Sequence, residues 1–224
     1  MVTFLSHHFS TLMIQGDQDW IDLAMVIANE DAGPAAHYNV EATPEQALHL
    51  HLGPVPFLGA IATAPVVLLL THADWDDHAT PYDHAFRVEG WPLSALHPDA
   101  PRGAADYWRS RAADLIAIFG AQRVANSIAV LFLAPWRAAC FDTRLRLPSR
   151  RLMLALGARA ALRDATLVVL RGGEVWTEAN EIAALPPTRL IRSRTWRATE
   201  LTAANLGLAA WDHVCRQIDT HVWL

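Results

Sequence analysis

Four short segments with apolar centres occupy the chain from residue 66 onward, separated by stretches whose hydrophobic residues recur at helical spacing. They are residues 66–70, 128–133, 166–170 and 189–192. Two parallel strands must be joined by a crossover, which is usually a helix and almost always right-handed. The alternation therefore predicts an α/β fold of three α/β/α layers, in which helices cover both faces of a four-stranded, mainly parallel sheet.

The helical stretches have recognisable first and last residues, because Ser, Thr and Asp cap helix starts and glycine follows helix ends. We predict helices over residues 17–29, 43–48, 104–119, 149–162, 173–176 and 202–218. A chain of 224 residues can bury one sizeable core. We therefore expect residues 1–224 to form a single α/β domain, on which an acidic, helical N-terminal part, residues 1–60, packs.

The charged residues are distributed unevenly along the chain. All 18 basic residues are arginines, the first is Arg87, and there is no lysine. Residues 1–86 carry 11 acidic side chains and no basic one, whereas residues 87–224 carry 18 arginines against 12 acidic side chains. Arginine binds phosphate through a planar pair of donors, so the predicted partner is a nucleic acid or a nucleotide. The lack of lysine excludes a Schiff-base lysine and a P-loop lysine.

The apolar runs are far shorter than the roughly 20 residues that a bilayer-spanning helix needs, so no membrane association is expected. The first ten residues lack the basic region and the long apolar run of a secretory signal. Cys140 and Cys215 show neither CxxC spacing nor the spacing of a disulfide framework. These features predict a protein of the reducing cytoplasm, and they leave its oligomeric state open.

Titratable side chains crowd the segment that follows the first predicted strand. Seven of the residues at 72–84 are histidine or aspartate: His72, Asp74, Asp76, Asp77, His78, Asp83 and His84. In open α/β sheets, ligands bind beyond the carboxyl ends of the strands. The segment therefore predicts a functional site, and a solvated acidic loop is the alternative interpretation.

The order of these segments resembles the uracil-DNA glycosylase superfamily. VVLLLTHADW at 66–75 is similar to that family's first strand and water-activating loop, which reads G-x-N-P-G in several branches. AFRV at 85–88 is similar to its A-F-S-V segment, whose phenylalanine stacks on the extruded base. VLFLAP at 130–135, LVVLRGGEVW at 167–176 and LIRSRTWRATELTAANL at 190–206 follow in the family's order. The resemblance covers roughly residues 54–218 and rests on order and spacing.

The resemblance implies hydrolysis of an N-glycosidic bond, which needs a water positioned near the sugar. We expect Asp74 to activate this water, with His72 as a base or orienting group. Trp75 and Phe86 are the candidates for stacking on the base. Ala134 occupies the position of the family's base-reading asparagine. The late histidine is missing as well, and its place falls at Thr195 or Trp196. With His72 in place of Asp or Asn, three family residues are altered, so the expected target is a base other than uracil.

A cluster of four arginines at residues 189–197 supplies the last candidate residues. On a strand, Arg192 and Arg194 would share one face, and Trp196 would follow them on it, with Arg197 beside it. Three cations around one aromatic ring suit phosphate contact combined with stacking. We predict that these four residues bind nucleic acid.

Two other functions remain open. The three altered positions are consistent with a catalytically silent nucleic-acid-binding or accessory protein on the same fold. A metal-dependent hydrolase would instead use the His/Asp cluster at 72–84, whose nitrogen and oxygen ligands suit zinc or manganese. The spacing within that cluster matches no defined metal motif, so neither a bound metal nor a cofactor is predicted.

Overall fold

The computed structural model describes residues 17–74, 80, 86–142, 144–195 and 198–222. Its strands are β1 (Phe57–Leu58), β2 (Val66–Asp74), β3 (Ile128–Ala138), β4 (Thr166–Val169) and β5 (Leu190–Arg192). Its helices are α1 (Asp17–Glu41), α2 (Arg102–Arg111), α3 (Ala113–Phe119), α4 (Ala121–Ser127), α5 (Arg150–Leu162), α6 (Gly173–Trp176), α7 (Asn180–Ala183), α8 (Ala203–Leu206) and α9 (Leu208–Thr220). Single 3-10 turns lie at Leu50–Leu52 and Ser94–Leu96.

The strands form one mixed sheet in the order β1-β3-β2-β4-β5. The four predicted strands are present and pair in parallel, whereas β1 pairs antiparallel with β3. The predicted count of four is therefore wrong, because the described residues contain a fifth strand. β1 has only two residues and lies in a Gly- and Pro-containing segment, so no periodicity in the sequence marks it.

β2 lies at the point where the direction of the strand order reverses. The chain leaves β2 through α2, α3 and α4 to reach β3 on one side, and then through α5 to reach β4 on the other. In open α/β sheets, the crevice beyond the carboxyl ends of the strands at such a reversal is where ligands bind. The topology therefore predicts a ligand site at the last residues of β2 and of its neighbouring strands.

The sheet is covered by helices on both faces. Along β2, Val66, Leu68 and Leu70 pack in one hydrophobic cluster, together with side chains from α2, α3, α4 and α9. Val67 and Leu69 point the other way, into a cluster with side chains from α1 and α5. Burial on both faces explains why β2 is a continuous apolar run rather than an alternating one.

Several helices differ from the sequence-based prediction. α1 continues past residue 29 and through Pro34 to Glu41, because Ala35 is fully buried in the core beyond the predicted end. Thr43 precedes turns rather than a second helix. The stretch 104–119 is split at Ala112, and 202–218 is split at Gly207, whose φ of 87° takes it out of the helix.

Asp31 links α1 to the sheet and to the start of α5 through hydrogen bonds. Its carboxylate is fully buried and accepts hydrogen bonds from Trp136 Nε1 (2.8 Å), Ser149 N (2.9 Å) and Ser149 Oγ (2.6 Å). Ser149 was predicted to cap α5, but its hydroxyl makes no capping bond to that helix and donates to Asp31 instead. The carboxylate of α1 thus lies at the N-terminus of α5, where the helix dipole favours a negative charge.

Candidate functional site

A cavity of about 750 Å³ lies beside the carboxyl ends of β2 and β3. Ala73 of β2 and Phe132 and Arg137 of β3 form part of its wall. Trp20, Val55, residues 57–63, 86–90 and 92–95, and the first turns of α2 also line it. Small-molecule sites measure about 300–1,000 Å³, so the cavity has the size of a ligand site.

Six aromatic residues of the described ranges line the cavity. They are Trp20, Phe57, Phe86, Tyr107, Trp108 and Phe132. Phe86 is half-buried, and its ring centroid lies 6.1 Å from that of His97, which packs edge-on against Trp91 at 5.0 Å. The ring of Phe86 is therefore supported by neighbouring rings and is suited to stack on a flat ligand.

Among the described residues of the wall, the charged side chains are Arg87, Arg137 and Glu89. The guanidinium carbon of Arg87 lies 4.8 Å from the ring centroid of Trp20, and its NH1 donates to the carbonyl of Phe86 (3.0 Å). Arg137 is half-buried at the end of β3. Two arginines in a partly apolar cavity favour an anionic ligand, because charges interact more strongly away from bulk water.

The sheet register breaks next to Arg137. His72 pairs with Ala134, but the next residue, Ala73, pairs with Arg137, so β3 has two extra residues, Pro135 and Trp136. The carbonyl of Pro135 accepts a hydrogen bond from Val55 N (2.6 Å), and the side chain of Trp136 bonds to Asp31 as described above. Such irregularities redirect side chains and are frequent next to functional sites.

The first turn of α2 also faces the cavity, through Gly103 and Ala104. Pro101 is the N-cap residue of the helix, and its side chain makes no capping hydrogen bond. Uncapped N–H groups at a helix start are donors for an anion. They reinforce the positive character that the two arginines give to the wall.

His72 is buried at the end of β2, outside the cavity wall. Its Nδ1 lies 3.0 Å from Thr71 Oγ1, and its ring stacks on Phe141 with centroids 5.7 Å apart and an interplanar angle of 16°. Ala134, its partner in the ladder, is buried in the core and is also outside the wall. Neither predicted residue thus faces the cavity in this arrangement.

Of the predicted residues whose side chains are described, Phe86 is the one that lines the cavity. Asp74 follows Ala73, which does line it, but only the backbone of Asp74 belongs to the described part of the chain. Trp75, Trp196 and Arg197 lie outside the described residues. The predicted pairing of Asp74 with Phe86 therefore stays a prediction.

The remaining candidates, Arg192, Arg194 and Thr195, lie at or just after the carboxyl end of β5, the strand at one edge of the sheet. Arg192 ends β5, and Arg192, Arg194 and Thr195 are all exposed. The Arg194 guanidinium lies over Gly207, where a Cβ would be 2.8 Å from it. Since β4 separates β5 from β2, these arginines lie about two strand spacings, on the order of 10 Å, from β2.

The sequence did not indicate that Arg137, Trp20 and Tyr107 share a wall. Pro135 was the available signal, since proline within a strand marks an edge or a bulge. Trp20 and Tyr107 come from helices remote in sequence, and no local pattern reveals that they meet.

Within the described ranges, no group of three or more His, Cys, Asp or Glu side chains is arranged to hold a metal ion. Most of the His/Asp cluster at 72–84 falls outside those ranges, so the metal-dependent alternative is untested. No helix in the described part of the chain is both long and apolar enough to cross a membrane.

Comparison with protein-family models, curated proteins and solved structures gives no significant match. Membership of the uracil-DNA glycosylase superfamily therefore stays a prediction.

Proposed function

We propose that the protein binds a nucleotide unit, either free or within a nucleic acid, in the cavity at the carboxyl ends of β2 and β3. The observation that carries this proposal is the combination, in one wall, of aromatic rings with Arg87 and Arg137. Aromatic side chains stack on bases, and arginine pairs with phosphate. A base and a phosphate occur together in a nucleotide, so one ligand would satisfy both parts of the wall.

The proposed orientation follows from the positions of these groups. The base stacks on Phe86, whose ring is supported by His97. The phosphate lies between Arg137 and the start of α2, and Arg87 contributes a second cation from the loop. Glu89 offers a carboxylate that can accept hydrogen bonds from an amino group of the base or from ribose hydroxyls.

The first experiment compares ligands that contain one or both of these parts. Calorimetric titration with nucleoside monophosphates, the matching nucleosides and ribose 5-phosphate should show that the monophosphates bind most tightly. Loss of the phosphate removes charge-assisted hydrogen bonds, each worth about 1.5–3 kcal/mol, so affinity should fall roughly tenfold or more. If no monophosphate binds at low salt, or if ribose 5-phosphate binds equally well, the proposal is wrong.

The second experiment uses a matched pair of phenylalanines. Phe86→Ala should weaken nucleotide binding, because stacking of one base on an aromatic ring contributes about 1–3 kcal/mol. Phe119, also half-buried but at the end of α3 and outside the wall, serves as the control. Phe119→Ala should leave affinity unchanged in protein that remains folded, and equal losses in both variants would contradict the proposed orientation.

For a nucleic acid, we propose that Arg192 and Arg194 contact phosphates beyond the cavity. Both side chains are exposed at the same edge of the sheet. Phosphate contacts release counterions, so affinity for a single-stranded oligonucleotide should fall steeply with salt. The double variant Arg192→Gln/Arg194→Gln should reduce both the affinity and the slope, whereas binding of a monophosphate should stay unchanged. Salt-independent binding of the oligonucleotide would contradict this assignment.

The finer proposal is that the protein has a uracil-DNA glycosylase-like fold and hydrolyses the N-glycosidic bond of a base other than uracil. Asp74 directly follows a wall residue, and this position supports its proposed role in activating water. Asp74→Asn should lower base release from a susceptible oligonucleotide by about 10² or more, the scale of losing a general base. Nucleotide binding should survive the substitution. Full activity in Asp74→Asn would remove the hydrolase proposal and leave the binding proposal standing.

A further inference from the structure

Arg111, the last residue of α2, contacts a wall residue of the cavity on its own helix. Its guanidinium carbon lies 3.2 Å from the ring centroid of Tyr107, and its NH1 donates to the carbonyl of Tyr107 (3.2 Å). Residues four apart lie on the same side of a helix, so the contact follows from the spacing. The guanidinium covers one face of the ring, which leaves the other face or the edge of Tyr107 to line the cavity.

The same side chain bonds to a segment that is remote in sequence. Arg111 Nε donates to Thr199 Oγ1 (2.7 Å), and the carbonyl of Arg111 accepts from Leu201 N (2.8 Å). Thr199 and Leu201 are only 2% and 1% exposed. A hydrogen bond from a charged donor to a buried hydroxyl is stronger than a neutral one at the surface, because little water competes for the acceptor. Arg111 thus fixes residues 198–201 against the end of α2.

Asn205 extends this connection to the backbone of Arg194. Its Nδ2 donates to the carbonyls of Ala198 (3.2 Å) and Glu200 (2.9 Å). The carbonyl of Asn205 accepts from Arg194 N (2.8 Å). Residues 198–201 and the backbone of Arg194 are therefore fixed to one buried residue, and the guanidinium of Arg194 remains exposed.

We propose that Arg111 is a positioning residue for nucleic-acid binding. It holds the ring of Tyr107 in the cavity wall, and its bond to Thr199 holds the segment that fixes Arg194. This role rests on the proposed function, because it connects the nucleotide cavity to the phosphate contact outside it. Groups that are ordered before the ligand arrives lose less entropy on binding, so affinity increases. One arginine thereby prearranges both parts of the site for a single-stranded oligonucleotide.

Amide hydrogen exchange of the free protein, measured by NMR, tests the anchoring without any nucleotide. Thr199→Val keeps the shape of the side chain and removes the hydroxyl that accepts the bond. Relative to amides of the sheet, the amides of Arg194 and Leu201 should exchange roughly tenfold faster, because the segment opens more readily without this bond. Unchanged exchange at both amides would overturn the proposal.

Thr166→Val is the matched control for this measurement. Thr166 is 1% exposed, and its hydroxyl also forms a side-chain hydrogen bond, to a histidine of α9 (2.9 Å). This bond lies at the start of β4, at the opposite end of the sheet from Arg194. The control variant should therefore leave the relative exchange of the Arg194 and Leu201 amides unchanged. Equal acceleration in Thr166→Val and Thr199→Val would indicate a general loss of stability and overturn the proposal.

Binding measurements separate the two contacts of Arg111. Arg111→Met removes both, so it should weaken binding of a nucleoside monophosphate and of a single-stranded oligonucleotide roughly fivefold each, the scale of losing a cation–π contact. Thr199→Val removes only the contact with the segment, so it should weaken binding of the oligonucleotide alone. Arg123→Met is the control, because Arg123 is half-buried outside the cavity wall and donates to the carbonyls of Ile218 and Asp219 on α9. It should leave both affinities unchanged.

Failure of the positioning role and failure of the proposed function give different results. If the wild type binds both ligands and Thr199→Val binds the oligonucleotide equally well, Arg111 does not position Arg194, and the nucleotide site stands. If Thr199→Val weakens binding of both ligands equally, the selective role of the Thr199 contact is wrong as well. If the wild type binds neither ligand at low salt, the proposed function is wrong, and the role of Arg111 in binding is wrong with it.

Discussion

Arg137 lies opposite Ala73 in the β2–β3 ladder, although the preceding residue of β2, His72, lies opposite Ala134. Phe132 and Arg137 are an odd number of positions apart, so on a regular strand their side chains would point to opposite faces. The alternation of β3 is broken between them, since the adjacent residues Leu133 and Ala134 pack in the same hydrophobic cluster. Phe132 and Arg137 consequently line the same cavity, which joins an aromatic residue to a cation in one site.

Arg137 is therefore expected to contribute strongly to binding of an anionic ligand. Arg137→Met keeps much of the aliphatic length and removes the charge-assisted hydrogen bonds. We expect roughly a 10- to 100-fold loss of affinity for a nucleoside monophosphate, measured by calorimetry, since such bonds contribute about 1.5–3 kcal/mol. Arg216→Met on α9, outside the cavity wall, is the control and should bind normally. Unchanged affinity in Arg137→Met would show that the phosphate lies elsewhere.

The four parallel strands could be predicted because each is indicated by neighbouring residues in the sequence. β2, β3 and β4 each contain a run of apolar residues, as expected for strands that are buried on both faces of the sheet. The extent of α1 is different, since Gly33 and Pro34 predict an end that the burial of Ala35 overrides. Tertiary packing decides such cases, and packing is not visible in a local pattern.

The candidate site was predictable only in part, for the same reason. Phe86 was identified through the family resemblance, and it lines the cavity. The position of Arg137 depends on Pro135 and Trp136, which are anchored by Val55 and Asp31. Those anchoring contacts join residues about 80 and 105 positions apart, and single-sequence periodicity does not report them.

Asp31 should be important for stability. Asp31→Asn removes the charge and one acceptor from a fully buried group that receives three hydrogen bonds. We expect the free energy of unfolding, measured by urea denaturation, to fall by about 2–3 kcal/mol, because at least one donor is left unsatisfied. Asp106 on α2 is exposed, so Asp106→Asn should change it by less than about 0.5 kcal/mol. Equal effects of the two substitutions would contradict a structural role for Asp31.

Asp142 should make the protein sensitive to acid. Its buried carboxylate accepts hydrogen bonds from Arg144 N (2.8 Å) and Arg144 NH2 (2.9 Å), and these bonds hold the pKa of Asp142 below its ordinary value. The folded state therefore binds this proton less readily than the unfolded state. The stabilisation is present above the ordinary aspartate pKa of about 3.9 and is lost as the pH falls through the lower folded pKa. Urea denaturation at neutral and acidic pH should show a smaller pH dependence in Asp142→Asn, and an identical dependence would contradict the assignment.

The ionisation of Tyr38 at high pH provides a spectroscopic measure of its contact with Asp142. Its hydroxyl donates to Asp142 Oδ2 (3.3 Å), and burial, followed by the charge and hydrogen bond of Asp142, raises the pKa of Tyr38 to about 12. The folded state thus holds this proton more tightly than the unfolded state, whose tyrosine pKa is about 10. The contribution to stability is complete below pH 10 and is lost as the pH rises through about 12.

The chain has three tyrosines, so the titration of one of them can be resolved. Rapid pH jumps, followed by the ultraviolet absorbance of tyrosinate before the protein unfolds, should show a component from Tyr38 that ionises with a pKa of about 12. Tyr38→Phe should abolish this component, and Tyr107→Phe should retain it. Asp142→Asn should move it toward the ordinary tyrosine value, because the negative charge that opposes ionisation is gone. If the component persists unchanged in Asp142→Asn, burial alone determines the pKa, and the hydrogen bond between Tyr38 and Asp142 does not contribute to it.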